Sequence, residues 1–247
     1  MPNYIANEIN FSGNKDAIEK VINAIQSDDG QNCIDFNKII PMPKSLDVTC
    51  GSITDTALSS IITAINPGTK DYGEKKASHS EFIELVKKAS TFNSELDTAM
   101  TDVQSENIKL GKTYLNNILE YGVPTWYEWC NRNWGTKWNA LETNRINDHT
   151  VCFQTAWVAP IPVIKALAEK YPDVTIHLRW ADEDTGYNTG IGEFKGLTET
   201  ISEYEGGSKE AYELAAELSA SLFEVSSLGI PLCVLSTCSA DTAESGF

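Results

Sequence analysis

The sequence predicts an α+β fold with an antiparallel sheet and packed helices. An α-helical insertion and a C-terminal helix are predicted in addition. Several short segments alternate apolar and polar residues, which is typical of strands buried on one face. Other segments repeat apolar residues at the spacing of an amphipathic helix. These segments form two β-α-β units in series, one before and one after a mainly helical stretch. That order predicts a ferredoxin-like sandwich, with helices on one face of the sheet.

The first β-α-β unit is predicted over residues 1–44. Residues 4–11 alternate in hydrophobicity and lead into a Ser-Gly-Asn turn, so they are predicted to form a strand. Residues 15–27 carry isoleucine and valine at helical spacing and are predicted to form an amphipathic helix. Residues 33–40 are predicted to form a second strand, which ends before Pro41 because proline cannot continue a strand ladder.

An α-helical insertion is predicted over residues 45–121. A short helix over residues 54–65 ends at an Asn-Pro-Gly sequence, which is a clear helix stop. Residues 80–121 are predicted to be largely helical, with polar breaks. The insertion therefore separates two parts of one sheet domain, residues 1–44 and 122–205.

The second part of the sheet domain is predicted to be β-α-β-β. Residues 145–155 form a predicted strand, and residues 161–170 a predicted helix that ends at a Tyr-Pro-Asp sequence. Residues 174–180 alternate as a half-buried strand, and an acidic turn joins them to a glycine-rich strand over residues 188–197.

The C-terminal region, residues 206–247, is predicted to be an acidic helix and tail. Residues 208–228 carry an apolar stripe, and a Gly-Ile-Pro sequence follows and ends the helix. A terminal strand is considered over residues 232–235, and residues 239–247 are expected to be frayed.

The charge of the chain limits its partners. The formal net charge is −16, and from Ala181 onward thirteen acidic residues stand against two lysines. This balance argues against binding to a nucleic-acid backbone. The acidic surface either keeps the protein soluble or docks a basic host protein. For the second alternative, the candidate partner-binding residues lie on the predicted C-terminal helix: Glu210, Glu213, Glu217 and Glu224.

A tryptophan-rich motif is the strongest candidate for a site. Four of the six tryptophans fall within thirteen residues, interleaved with Asn, Arg and Lys. Such a cluster is either a structural plug in the core or an aromatic binding wall. A wall could stack a nucleobase or another small aromatic ligand, at about 1–3 kcal/mol per base. The candidate ligand-binding residues are Asn133, Trp134, Lys137, Trp138 and Trp157.

Four blocks of the sequence resemble one known family. They are Met-Pro-Asn-Tyr at residues 1–4 with Asn7, Pro-Met-Pro at residues 41–43, Asn-Trp-Gly-Thr-Lys-Trp at residues 133–138, and Phe-Gln-Thr-Ala-Trp at residues 153–157 with Pro160 and Pro162. Over residues 1–44 and 122–197 the chain thereby resembles the YubB-type family of uncharacterised proteins. The resemblance implies a ferredoxin-like domain and an origin on phages or conjugative plasmids, and it implies no particular activity.

Other chemistries find little support in the sequence. Cys130, His149, Cys152 and His177 lack the paired short spacings of a zinc site, so no metal ligand is predicted. No Gly-x-Ser-x-Gly elbow occurs, and the nearest Cys–His pairing is weak, so no catalytic residue is predicted. The acidic run at residues 182–184 is either a cation site or a hairpin turn. The glycines of residues 186–196 do not have a phosphate-loop spacing, and no cofactor is predicted.

The sequence favours a cytoplasmic, non-enzymatic binding module of mobile-element origin. The first ten residues lack the regions of a signal peptide, no apolar run is long enough to span a membrane, and the six cysteines are expected to be reduced. The partner would be a basic host protein or a small aromatic ligand. The first alternative is an enzyme acting on a nucleotide-like substrate near residues 134–157, with Lys137 contacting phosphate. The second is an oligomeric structural protein.

Overall fold

The computed structural model describes residues 2–65 and 102–228, and its side chains over residues 2–61 and 106–220. Two compact units are present. Described residues up to Pro41 and from Arg132 onward form the sheet-containing unit, and those between Met42 and Asn131 form a helical unit.

Six antiparallel strands form one sheet in the order β2-β3-β1-β4-β5-β6. The first four, with the helices between them, have the β-α-β-β-α-β order of a ferredoxin-like sandwich, and β5 and β6 extend its edge. The predicted α+β fold is therefore confirmed. The bounds of the elements in this unit are β1 Tyr4–Ser12, α1 Lys15–Ile25, β2 Leu141–Asn147, β3 Thr150–Ala156, α5 Ile161–Lys170, β4 Thr175–Asp182, β5 Gly190–Lys195, β6 Thr198–Glu203 and α6 Lys209–Leu228.

Alternation along β1 divides the sheet into two buried faces. Ile5 and Ile9 point to the same face as their partners on β3, and α5 packs over this face against β4 and β5. The helix α6 covers the opposite face, where Leu214 and Leu218 pack against Ala181. The sequence predicts sandwich helices on one face of the sheet, and α5 lies on such a face. The C-terminal helix α6, for which the sequence predicts no particular face, covers the other one.

The predicted strand over residues 33–40 is wrong. Its centre, Phe36–Lys38, is a 3₁₀ turn that the Asp35 carboxylate caps by accepting a hydrogen bond from the Asn37 amide at 2.9 Å. The Phe36 amide donates to the Asn139 side chain at 2.8 Å. Side-chain acceptors thus replace the backbone partners that a ladder would supply. The strand that completes the first β-α-β unit is β2, which follows the helical unit in sequence.

Two other strand predictions differ from the structure. The predicted strand over residues 145–155 is divided by a turn at Asp148 and His149 into β2 and β3. The strand β6 was not predicted, because all six of its side chains are exposed and no apolar alternation marks it. The glycine-rich character of β5 has a packing cause: a Cβ on Gly190 would lie 2.3 Å from the Trp180 ring.

The helical unit contains α2 Ser52–Ile65, α3 Asp102–Tyr121 and the first part of α4 Trp126–Asn133. Helices α2 and α3 cross closely at Gly111, where a Cβ would lie 2.6 Å from the Ala57 carbonyl oxygen. The Asn117 amide group donates to the Ser45 and Pro124 carbonyls at 2.8 and 2.9 Å and so ties the ends of the unit to α3.

Several predictions fall on residues outside the described part of the chain. These are the helical residues 80–101, the helix stop at residues 229–231, the strand at residues 232–235 and the frayed tail at residues 239–247. Within the described part, no helix has the length and apolar character needed to cross a membrane. Cytoplasmic location stays a prediction.

The cysteines do not all follow the sequence expectation. Cys50, Cys130 and Cys152 are free thiols. Cys33 is disulfide-bonded, so the expectation of six reduced thiols is wrong for this residue. Cys233 and Cys238 lie outside the described residues.

Candidate binding surface

The tryptophan-rich segment turns its side chains in different directions. Trp134 is only 3% exposed, its ring meets the Phe36 ring edge-on at 5.7 Å, and its indole N–H donates to the Ile40 carbonyl at 2.9 Å. Phe36 in turn meets Phe153 at 5.9 Å. This tryptophan is therefore part of the core of the sheet-containing unit, with its polar group satisfied.

The next two residues fix the segment to the end of the sheet. Gly135 adopts a φ of +76°, and a Cβ there would lie 2.7 Å from the Pro162 ring at the start of α5. The Thr136 hydroxyl, fully buried, donates to the Ala156 carbonyl at 2.8 Å and accepts from the Ala156 amide at 3.2 Å. Because both positions are fixed, the two residues that follow are held beside the end of β3.

Lys137 lies against two tryptophan rings. Its Nζ atom is 4.4 Å from the centroid of the Trp138 ring and 5.0 Å from that of the Trp157 ring. Both distances are within the range of cation–π attraction. The structure thus brings together Lys137, Trp138 and Trp157 of the predicted ligand-binding residues. Trp134 lies in the core, and Asn133 ends α4, half-buried.

Trp157 is presented on strained backbone. Its φ is +68°, in the left-handed region that a non-glycine residue rarely adopts, while 39% of the residue remains exposed. Its amide donates to the Asn3 carbonyl at 2.8 Å, and the Asn188 side chain donates to its carbonyl at 3.1 Å. Such a conformation costs about 1–3 kcal/mol and persists only where surrounding contacts hold it. Strain of this kind is more common at functional sites than elsewhere.

Asp182, at the end of β4, organises the residues around Trp157. Its carboxylate accepts hydrogen bonds from the Asn3 and Asn188 side chains at 3.0 and 3.1 Å and from the Asp184 amide at 2.9 Å. The acidic run at residues 182–184 therefore forms a hydrogen-bonded turn. Asn188, which links Asp182 to Trp157, also has a positive φ, of +43°.

Two exposed tyrosines lie at the same end of the sheet as Trp157 and Asp182. Tyr187, 50% exposed, lies over Gly206, and Tyr212, 46% exposed, lies over Gly186 at the start of α6. The backbone amide of Gly207 donates to the Gly186 carbonyl at 2.9 Å, which joins the two loops. We use the name aromatic rim for four exposed residues at this end of the sheet together with the half-buried Trp138. The exposed members are Trp157, Val158, Tyr187 and Tyr212.

The predicted acidic face of α6 is partly paired within the chain. Glu217 accepts from Arg179 at 2.7 Å, and Arg179 also binds Glu8 at 2.9 Å, so Glu217 attaches α6 to the sheet. Burial lowers the pKa of Arg179, but the two carboxylates together outweigh it, so that the pKa is raised above its usual value. Glu213 pairs with Lys209 at 3.3 Å, and Glu210 is exposed beside it. Glu224 lies in α6, but its side chain is outside the described part.

Metal-ligating side chains and thiols were candidates for chemistry in the sequence. No group of three or more His, Cys, Asp or Glu side chains in the part that the structure describes is arranged to hold a metal ion. Burial raises the pKa of the Cys130 and Cys152 thiols to about 12, and the Glu8 charge contributes at Cys152. Neither thiol is therefore a thiolate near neutral pH, which a cysteine nucleophile has to be.

This burial predicts a labelling pattern in the folded protein. Near pH 8, iodoacetamide is expected to modify the half-buried Cys50 and to leave Cys130 and Cys152 unmodified, because the reagent reacts with the thiolate. In denaturant Cys130 and Cys152 should react as fast as Cys50, because burial then no longer raises the pKa of their thiols. Mass spectrometry of tryptic peptides measures both. Fast labelling of native Cys152 would contradict the assignment.

The residues that sequence analysis missed are those that hold the site in place. Asn3, Asp182 and Asn188 come from three separate elements, and nothing in their sequence neighbourhoods marks a shared hydrogen-bond network. The sequence predicts Asn188, next to an acidic turn, only as the start of a strand. Asn tolerates positive φ better than most residues, and this was the one available signal.

Comparison with known proteins identifies the domain. Residues 133–223 match a family model described as "Ferredoxin-like domain in Api92-like protein". The chain is also similar to a crystal structure of a protein Api92 from Yersinia pseudotuberculosis, with 10% sequence identity, a TM-score of 0.39, and coverage of 84% of this chain and 100% of that chain. The search of curated proteins finds no match. A ferredoxin-like domain of the Api92-like kind is therefore present, and its matched region includes the whole aromatic rim.

Proposed function

We propose that this protein is a non-enzymatic binding module that holds a basic partner protein at the aromatic rim. The observation that carries the proposal is Trp157, which is 39% exposed on left-handed backbone and is held there by hydrogen bonds from both sides. Exposed, pre-organised tryptophan and tyrosine side chains are typical of the residues that dominate binding energy in protein interfaces.

The charges around the rim favour a cationic partner. Glu183 and Asp184 are exposed in the turn before Tyr187, and Glu213, the residue after Tyr212 in α6, is exposed as well. An Arg or Lys side chain of a partner would lie on an aromatic face and beside a carboxylate at the same time. Lys137 already makes the first of these contacts within the chain. In this proposal the acidic residues on α6 belong to the binding surface. Glu217 is the exception, because it attaches α6 to the sheet.

The resemblance of the sequence blocks to the YubB-type family supports an accessory role on a phage or plasmid. In that role the basic partner would be a host protein. An enzyme acting on a nucleotide-like substrate is the second candidate, since Lys137 lies between two rings that could stack a base. In the described part of the chain, no contact specifically favours an oligomeric structural role.

Calorimetric titration with an arginine-rich peptide tests the proposal. Trp157→Ala is expected to weaken peptide binding roughly 30-fold, as for a side chain at the centre of an interface. Trp157→Gly should weaken it equally while relieving the strained backbone, so the two variants separate loss of the ring from a change in strain. Binding should also weaken as the salt concentration is raised from about 0.15 M to about 1 M.

Ile146→Ala is the matched control, because Ile146 is a similarly exposed apolar residue, 36% exposed, near the opposite end of the sheet. It should leave peptide binding unchanged. Binding of ATP or AMP that depends on Lys137 and Trp138, with no binding of the peptide, would instead support the nucleotide-like substrate and overturn the proposal. Equal peptide affinity of Trp157→Ala and the wild type would also overturn it.

A further inference from the structure

The strand β6 is an open edge of the sheet. Among residues 2–65 and 102–228 it pairs only with β5, it contains no proline, and all six of its side chains are exposed. Open edges of this kind are templates for the addition of another strand. The opposite edge, β2, is interrupted by irregular register and is a poorer template.

The hydrogen-bond pattern shows which backbone groups of β6 are available. In an antiparallel ladder, alternate residues direct their N–H and C=O groups to the same neighbour. The Tyr204 amide donates to the Thr189 carbonyl at 2.9 Å, on the β5 side. Alternation from that bond directs three residues of β6 to the open edge: Glu199, Ile201 and Glu203.

A groove lies beside this edge, on the side of α5. Its volume is about 220 Å³, and it lies between α5 and the turn that joins β5 to β6. Leu197 at this turn is 87% exposed, and Ile201 is 37% exposed on the same side of β6. The groove could receive alternate side chains of an added strand, which is how strand addition gains specificity. The lining residues are Lys165, Glu169, Phe194, Gly196, Leu197, Thr198 and Glu199.

The charges beside β6 determine which kind of segment can bind at this edge. Glu199 and Glu203 share a face of β6 with Ile201, and Glu169 of α5 faces the same groove. Lys165, which pairs with Glu199 at 2.7 Å, is the basic residue lining the groove. A second copy of this chain would place Glu199 opposite Glu203 in a pairing centred on Ile201, and like charges opposite one another are unfavourable. An extended segment with lysine or arginine at alternate positions is complementary instead.

We propose that β6 binds an extended, basic segment of a partner protein by antiparallel strand addition, with the alternate side chains of that segment in the α5 groove. This surface is distinct from the aromatic rim, and the proposal does not depend on the function proposed for the rim. Backbone hydrogen bonds from Glu199, Ile201 and Glu203 supply the pairing, and the two carboxylates supply the charge selection.

Nuclear magnetic resonance titration of the full-length protein tests this proposal. The probe is a blocked peptide of about six residues in which lysine and valine alternate with threonine. The backbone amides of Glu199, Ile201 and Glu203 are expected to shift in a saturable manner, and those of Thr200 and Ser202 to shift less, because they already point to β5. A peptide of the same pattern with glutamate in place of lysine should produce no saturable shift.

Ile201→Pro is the decisive variant, because it removes an outward amide and leaves the ladder to β5 intact. This substitution should weaken peptide binding roughly tenfold, as expected from the loss of a backbone hydrogen bond. Ile201→Ala keeps the amide and should bind like the wild type. If Ile201→Pro fails to give a folded spectrum, the double variant E199K and E203K serves instead, and its preference should change to the glutamate peptide.

Wild-type affinity of a folded Ile201→Pro variant, or an unchanged preference of the charge-inverted variant, would overturn the proposal. Shifts that occur in the aromatic rim and not in β6 would also overturn it. Trp157→Ala should leave the chemical-shift changes of the β6 amides in place. Failure of the function proposed for the aromatic rim can therefore be distinguished from failure of strand addition at β6.

Discussion

Replacing Trp134 by alanine is expected to destabilise the sheet-containing unit by about 3–5 kcal/mol. The side chain is 3% exposed and packs edge-on against Phe36, so its removal leaves a cavity in the core. It also leaves the Ile40 carbonyl without the indole N–H that donates to it at 2.9 Å. The loss of a partner for a buried carbonyl adds to the cost of the cavity. Urea unfolding followed by circular dichroism measures this change in the free energy of unfolding.

Two further substitutions show which part of the cost comes from which contact. Trp134→Phe keeps a ring against Phe36 and removes the N–H donor, so we expect a smaller loss than for alanine. Trp157→Ala, at a tryptophan outside that motif, should cost less than about 1 kcal/mol, because this residue is 39% exposed and lies at the surface. A stable, folded Trp134→Ala variant would contradict the placement of this residue in the core and favour the binding wall.

The contrast between these two tryptophans shows which part of the site can be predicted from the sequence alone. Composition and spacing identified the block as unusual, and the alternatives of a core plug and a binding surface were both open. The structure assigns the first role to Trp134 and offers Trp157 for the second. The difference depends on Ile40, Asn3 and Asn188, which are distant in sequence and close in space. No local pattern contains that information.

The prediction of the fold was likewise correct where local signals decide the structure and wrong where distant contacts decide it. The helix over residues 161–170 was predicted with its observed bounds, because its apolar spacing and flanking prolines are local signals. The segment over residues 33–40 was apolar enough for a strand, yet its backbone amides bond to the side chains of Thr143 and Asn139. A sequence pattern reports burial of such a segment and not the partners of its backbone.

The strand β6 was missed for a related reason. Apolar alternation marks strands that are half-buried, and β6 is exposed on both faces at the edge of the sheet. The surface on which strand addition is proposed is therefore the part of the sheet that periodicity detects least. The turn at Gly196, with a φ of +55°, was the local sign that a further strand could follow β5.

Gly190→Ala is expected to lower the free energy of unfolding by about 1–3 kcal/mol. Alanine in a strand usually gains about 0.5–1 kcal/mol over glycine, so propensity alone predicts the opposite sign. Here the added Cβ would lie 2.3 Å from the Trp180 ring and 2.8 Å from the Ser202 carbonyl oxygen. Trp180 is 3% exposed and has little room to move, so the ring, β5 or β6 has to shift. Chemical denaturation measures the sign directly.

Gly206→Ala is the matched comparison, because it creates a similar contact with a mobile partner. Its Cβ would lie 2.7 Å from the Tyr187 ring, but Tyr187 is 50% exposed and can turn away into solvent. We therefore expect a change within about 0.5 kcal/mol for this variant. Combining Gly190→Ala with Trp180→Phe should cost less than the sum of the two single changes, because the smaller ring removes the overlap. Additive costs would show that the Trp180 ring is not what excludes a side chain at Gly190.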